Sequence, residues 1–129
     1  MSNQYVRLLF RCAAVFNWIA AAVLLAPLGI ASQLGAKPVP AGGPFEAIMV
    51  AAIAVFGVGY WWVAQAPREN LSIVKIGLLG KLAVVAIVYF YTWFGVANLT
   101  LAALASGDLV FSALFGAFLL TNIARRHPK

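Results

Sequence analysis

Apolar residues run along this chain in four long blocks, separated and flanked by short stretches that hold most of the charges and prolines. Each block is close to the ~20 residues that a helix needs to cross a hydrocarbon layer. They cover about 8–31, 44–66, 71–94 and 99–123. The pattern predicts an all-α fold, a transmembrane four-helix bundle of up-down-up-down connectivity in which residues 1–129 form a single membrane domain. Only the start of the fourth block admits two readings. It begins either at Asp108, after a long loop, or at Leu99, after a tight turn through Gly95, Val96, Ala97 and Asn98. Leu99 to Ala105 is apolar apart from Thr100 and would sit badly in water, so the earlier start is expected and Asp108 falls inside the membrane.

Helix punctuation sharpens these limits. The stretch Gly35-Ala36-Lys37-Pro38-Val39-Pro40-Ala41-Gly42-Gly43-Pro44 is rich in breakers, with Pro44 suited to a first helical turn and Glu46 to the positive end of that helix. Pro67 stops the second helix, Asn70 is positioned to N-cap the third, and Pro27 bends the first near its end. The first block has the outline of a signal peptide, with arginines before an apolar run and small residues around Ala31 to Ala36. It is long for a signal, so it is expected to be retained as a span.

Composition supports the membrane reading. The chain is 64% hydrophobic and 9% charged, against roughly a quarter charged in soluble proteins. A soluble chain of this length has too little interior to hide so much apolar surface. The net charge of +6 does not point to nucleic acid, because the charges flank apolar segments instead of forming a basic face with interleaved aromatics. With four spans both termini share a side. That side collects Arg7, Arg11, Arg68, Lys75, Arg125, Arg126 and Lys129, leaving Lys37 opposite. The positive-inside bias therefore predicts both termini in the cytoplasm. Tyr60, Trp61 and Trp62 would sit near the inner interface, and Tyr89, Phe90, Tyr91, Trp93 and Phe94 near the outer one, as anchors rather than a cofactor cage.

Candidate chemistry is sparse. The single cysteine, Cys12, allows no internal disulfide, and the one histidine, His127, lies in the basic tail. Haem ligation by two histidines and a histidine-carboxylate metal site within the spans are thereby excluded. No glycine-rich phosphate loop, nucleotide fingerprint or serine-histidine-acid set is present. The glycines of Phe56-Gly57-Val58-Gly59-Tyr60 read as packing positions, as do the small-residue spacings Ala103 to Gly107 and Ser112 to Gly116. The polar residues expected to be buried within the spans are Asn17, Glu46, Tyr60, Lys81, Thr92, Asp108 and Ser112, while Lys75 is one turn in and can snorkel. Asn17 shares a small-residue stripe with Ala13, Ala14 and Ala21, so hydrogen bonding between helices is its simplest role. Glu46 is simplest as a solvated carboxylate at a helix start.

Lys81 and Asp108 resist such accounts. A charge at mid-membrane costs roughly 3 kcal/mol even on insertion scales, so each needs a partner or a function. Lys81 lies thirteen residues before Phe94 and Asp108 nine after Leu99, which places them ~20 Å and ~14 Å from the hairpin turn at the helical rise. A lysine stem can bridge the ~6 Å offset, about one turn. Side chains lean toward their own helix N-terminus, however, which aims Lys81 and Asp108 apart and favours snorkelling for Lys81. A third arrangement has both facing a small polar cavity with Asn17, Tyr60 or Ser112. Lys81, Asp108, Asn17, Tyr60 and Ser112 are accordingly the candidate ligand-binding residues, and Asp108 and Lys81 the candidate catalytic ones.

Leu79-Gly80-Lys81-Leu82 and the ending Ser106-Gly107-Asp108-Leu109-Val110-Phe111-Ser112-Ala113-Leu114-Phe115, set in four helices over about 130 residues, resemble small bacterial membrane proteins of the DoxX-like type. The resemblance implies a bacterial inner-membrane bundle, and some members of that group are linked to quinone-associated oxidoreductases. It carries no catalytic residue across. Three functions are compatible with the sequence. The first is an accessory or interaction protein that binds a lipid-soluble molecule, such as a quinone or isoprenoid, or a larger membrane complex. The second is a membrane enzyme acting on a hydrophobic substrate, with Asp108 as acid or base and Lys81 tuning it. The third is a proton-coupled transporter, which four helices support only as a homodimer or larger oligomer.

Overall fold

The computed structural model describes residues 3–25 and 43–126. They form four helices: α1 Asn3–Leu25, α2 Pro44–Gln65, α3 Leu71–Trp93 and α4 Leu99–Arg126. All four are long and apolar enough to cross a membrane. The second and third match the predicted bounds within a residue, and the fourth takes the earlier start. The first begins at Asn3 rather than Leu8, because the polar Asn3, Gln4 and Arg7 continue the helix beyond its apolar stretch. The Pro27 bend, the end of the first span, the glycine- and proline-rich loop up to Gly42, Lys37, His127 and Lys129 lie outside the described residues.

Short connections dictate the topology. Residues 66–70 join α2 to α3, and residues 94–98 join α3 to α4, so each pair must run antiparallel. Contacts fix the rest: Asn17 meets Ile53 and Arg11 meets Trp61, so α1 runs antiparallel to α2. Phe10 meets Phe115 and Phe16 meets Phe111, so α4 closes the bundle against α1. The bundle thus has a terminal end, carrying Asn3, the 66–70 turn and Arg126, and a far end, carrying Pro44 and the 94–98 turn.

The turns use local chemistry that the sequence only half disclosed. Pro44 starts α2 after Gly43, whose φ of 85° suits a residue without a β-carbon, and Glu46 lies in the first turn as expected. Asn70 stands at the N-cap position of α3 but makes no side-chain cap. Its amide instead donates to Trp62 O at 3.3 Å and Ala66 O at 3.0 Å, satisfying the carbonyls that end α2. The N-cap bond appears at the next helix, where Asn98 Oδ1 accepts from Leu101 N at 2.9 Å and starts α4. Gly95, at φ 72°, makes the reversal before it.

Large side chains cover the outside of the bundle. Trp93, Leu99, Leu79 and Leu120 are each more than two-thirds exposed, a surface that hydrocarbon satisfies and water does not. This makes the chain a multi-pass membrane protein. Burial inside is uneven. The main core consists of Val6, Leu9, Phe10, Ala13 and Ala14 on α1, Tyr60, Val63 and Ala64 on α2, Val74 on α3, and Phe115 and Phe118 on α4, all toward the terminal end. The rings of Phe10 and Tyr60 stand 4.7 and 5.2 Å from that of Phe115, which locks three helices together there. Tyr60 is therefore a core residue, 1% exposed, and not the interfacial anchor its neighbours suggested; Trp61 and Trp62 do face outward.

Toward the far end the two hairpins part. On α3 the buried residues are Val74, Gly77 and Lys81, and from Leu82 to Trp93 none is buried. Close approach persists within the α1–α2 hairpin and, near the 66–70 turn, between α2 and α3. Gly57 admits the Trp18 indole, whose Nε1 donates to Ala54 O at 3.2 Å, and Gly59 meets Ile73. Both glycines act as packing positions. The spacings on α4 behave differently: Ala103 is exposed, Gly107 touches Phe16, and Gly116 faces open space, while the buried face runs through Ala102, Ala105, Ser112 and Phe115. A spacing of four alone does not say which side of an all-round apolar helix meets its neighbours.

Candidate functional site

Where the core ends, the hairpins enclose the two mid-membrane charges. Lys81 lies near the middle of α3 and its Nζ is ion-paired with Asp108 Oδ1 of α4. It also donates to Asn17 Oδ1 of α1 at 3.3 Å. Asn17 is held from the other side, since its amide donates to Ile53 O of α2 at 3.2 Å. Four helices therefore meet at one ammonium. Asn17 plays the interhelical role expected of it and, beyond that, fixes the lysine.

The side-chain lean that argued against pairing is overridden. Leaving both charges unpaired in hydrocarbon costs about 3 kcal/mol each, whereas an off-preference torsion in the lysine stem costs about 1 kcal/mol. Desolvation of the unpaired charges outweighs torsional strain, and Lys81 does not snorkel. Lys75, one turn from the helix start, is exposed and free to do so.

Three aromatic rings complete the surroundings of the ammonium. Nζ lies 5.5 Å from the Phe16 centroid, 5.4 Å from that of Tyr60 and 5.2 Å from that of Phe111. All are within the ~6 Å over which a cation is drawn to a ring face. Side-chain exposure is 5% for Lys81 and 16% for Asp108. The hydroxyl of Tyr60 reaches only Gly77 O, at 3.5 Å. Ser112 belongs elsewhere in the design, for its hydroxyl donates to Asp108 O at 2.8 Å within its own helix. Thr92 likewise donates to Val88 O.

A cavity of about 250 Å³ lies on the far-end side of the pair, with Lys81, Asp108, Asn17 and Tyr60 in its wall and apolar side chains such as Phe16, Ala20, Ile53 and Phe56 around them. A second chamber of about 330 Å³ continues from it between α1, α3 and α4. The two share Phe16, Ala20, Ile53, Val84 and Asp108. Val84, Ile19 and Leu104 on its border are 46%, 59% and 47% exposed, so the chamber opens on the apolar flank of the bundle. The sequence-predicted residues Lys81, Asp108, Asn17 and Tyr60 are thus brought together, while Ser112 and Glu46 are not among the lining residues.

Sequence reasoning missed Phe16 and Phe111, and the cavity it offered as one of three arrangements is mainly apolar rather than small and polar. Phe111 was findable, since three residues after Asp108 it must share that face of the helix. Phe16 carried no such signal. A second polar contact across the α3–α4 hairpin, Tyr89 Oη with Ser106 Oγ at 2.8 Å, was also missed. Among the described residues no three His, Cys, Asp or Glu side chains converge. The polar groups of the site are thus an ammonium, a carboxylate, an amide and a phenol.

These features define a class: a four-helix membrane bundle with a polar cluster facing an apolar cavity at mid-membrane. Comparison with protein-family models, with curated proteins and with solved structures gives no significant match for this chain.

Proposed function

We propose that this is a small membrane accessory or interaction protein that binds a lipid-soluble molecule of the quinone or isoprenoid kind between its two hairpins. One observation carries the reading. The residues most costly to place in hydrocarbon, Lys81 and Asp108, are paired with each other and still line an apolar cavity, where a purely structural pair would be sealed by packing. Ligand sites of this kind are mostly apolar, with a few convergent polar groups that fix orientation. The combined chambers are of the size that holds a small ring or head group with an apolar tail. Placement in a bacterial inner membrane, termini in the cytoplasm, membership of the DoxX-like type and service to a larger membrane complex belong to the same proposal. They rest on the charge distribution and on the resemblance.

A second reading has one observation in its favour. Asp108 lines both chambers, so a bound hydrophobic substrate would lie beside a residue of the acid-base type, with Lys81 holding it in place. The binding reading comes first because it requires no reaction.

The test is extraction. Protein purified from its membrane in a mild detergent is analysed by mass spectrometry for retained lipids, beside an Ala20→Phe variant whose ring fills the cavity. The proposal expects one class of single-chain, polar-headed molecule enriched over bulk lipid in the parent protein and lost in the variant. Identical lipid profiles from both would overturn it.

A further inference from the structure

Counting hydrogen-bond positions at the cavity narrows the ligand. A lysine ammonium has three donors, and Lys81 uses two, on Asp108 Oδ1 and Asn17 Oδ1. The third N–H has no acceptor among the described residues, and Lys81 lines the cavity beside the three aromatic rings. Asp108 uses Oδ1 on Lys81, which leaves Oδ2 without a hydrogen bond among the described residues. No fully buried side-chain nitrogen or oxygen among the described residues lacks a hydrogen bond, so Oδ2 keeps some accessible surface, and Asp108 lines both chambers. One open donor and one open acceptor therefore stand side by side on the cavity wall. Their charges cancel. A charged head group, anionic or cationic, would therefore bring into the cavity a net charge that nothing in the pair balances.

We infer that the site selects a neutral hydroxyl group on a single apolar chain: the alcohol of an isoprenoid rather than its phosphate ester, or the phenolic form of a quinone-type ring rather than the carbonyl form. A hydroxyl accepts from Lys81 and donates to Asp108 at once. A carbonyl or an ether satisfies only the lysine and leaves Oδ2 capped with apolar surface, which is the arrangement that binding sites reject most strongly. The second chamber takes the tail. Its wall beyond Asp108 is apolar, through Val23, Leu24, Val88 and Leu101, and it gives a single chain one direction to run. This inference rests on the proposed binding function and specifies its ligand.

The experiment uses the full chain in lipid nanodiscs and a photoreactive diazirine analogue of farnesol, with labelled positions mapped by mass spectrometry. Farnesol, farnesyl methyl ether and farnesyl phosphate compete, each expressed as mole fraction in the bilayer. Labels are expected on the segments around Ala20 and Val84. Farnesol should displace them at about a tenth of the ether concentration or less, as the loss of one hydrogen bond to a charged group implies. Farnesyl phosphate should not compete. In the Lys81→Met, Asp108→Leu double variant the alcohol and the ether should become equivalent while cavity labelling persists. If the ether equals the alcohol in the parent protein, the hydroxyl inference falls and cavity binding stands. If labels spread over the lipid-facing surface and no competitor moves them, the inference and the binding reading fall together. The alcohol-to-ether ratio in the parent protein decides the matter even where the double variant does not fold.

Discussion

Replacing Lys81 by Met removes the ammonium at which all four helices meet while keeping the length of the stem. Asp108 is then left 16% exposed with no cation, and Asn17 Oδ1 loses its donor. Breaking a buried ion pair by removing one partner costs ~3–5 kcal/mol in proteins. The lower end applies here, because side-chain hydrogen bonds between membrane helices average only ~0.6 kcal/mol. A loss of about 3 kcal/mol is expected for Lys81→Met, and a similar loss for Asp108→Leu, which strands the ammonium instead. The double variant removes both charges together, so its cost should fall well below the sum of the two singles, with a coupling of at least ~2 kcal/mol. Reversible unfolding in mixed mild and denaturing detergent micelles measures this. The signal is tryptophan fluorescence, for which Trp18 and Trp61, 5.8 Å apart across α1 and α2, are well placed. Additive losses would refute the pairing, since they would mean that each charge finds its own solvation independently.

Other substitutions probe separate features of the bundle. Gly77→Ala should lower stability by ~1–3 kcal/mol, because the added β-carbon would lie 2.5 Å from Tyr60 Cε1 and Tyr60 is fully packed. Gly116→Ala, which meets nothing within 4 Å, should be neutral or slightly stabilising in the same unfolding assay. Asn17→Leu removes bonds to Lys81 and Ile53 and should cost about 1 kcal/mol. Ala20→Phe should leave the Lys81–Asp108 coupling intact while abolishing retention of the bound molecule, which separates cavity from pair.

How much could be read beforehand divides along physical lines. Span number and bounds were legible because crossing hydrocarbon demands a fixed length of apolar helix, and a signal that coarse survives without any structure. Asp108 in mid-span followed from the same reasoning applied to Leu99–Ala105. Lys81, Asp108, Asn17 and Tyr60 stood out as site candidates because polar groups in hydrocarbon are costly wherever they occur. The sequence could not decide which faces of α2, α3 and α4 turn inward, since these helices are apolar all round and lack an amphipathic stripe to orient them. Tyr60 is consequently compatible from sequence with an anchor and with a buried polar residue, and nothing in the sequence marks Phe16. Asn70 shows the same limit on a smaller scale. Its position marked a cap, but whether its amide serves the helix before or after it depends on how tightly the 66–70 turn closes. The cavity was the least legible feature, because it arises from two hairpins that pack through Phe10, Tyr60 and Phe115 at one end and diverge beyond Lys81 at the other.

The most direct measurement of the central claim is an experimental density map of the protein held in lipid. Ligand binding between the hairpins predicts elongated density in the chamber beside Lys81, with one end within hydrogen-bond reach of Nζ and Asp108 Oδ2 and the rest running between Val84 and Leu104. A chamber closed by Phe16 and Phe56, with the ion pair sealed beneath them, would contradict it.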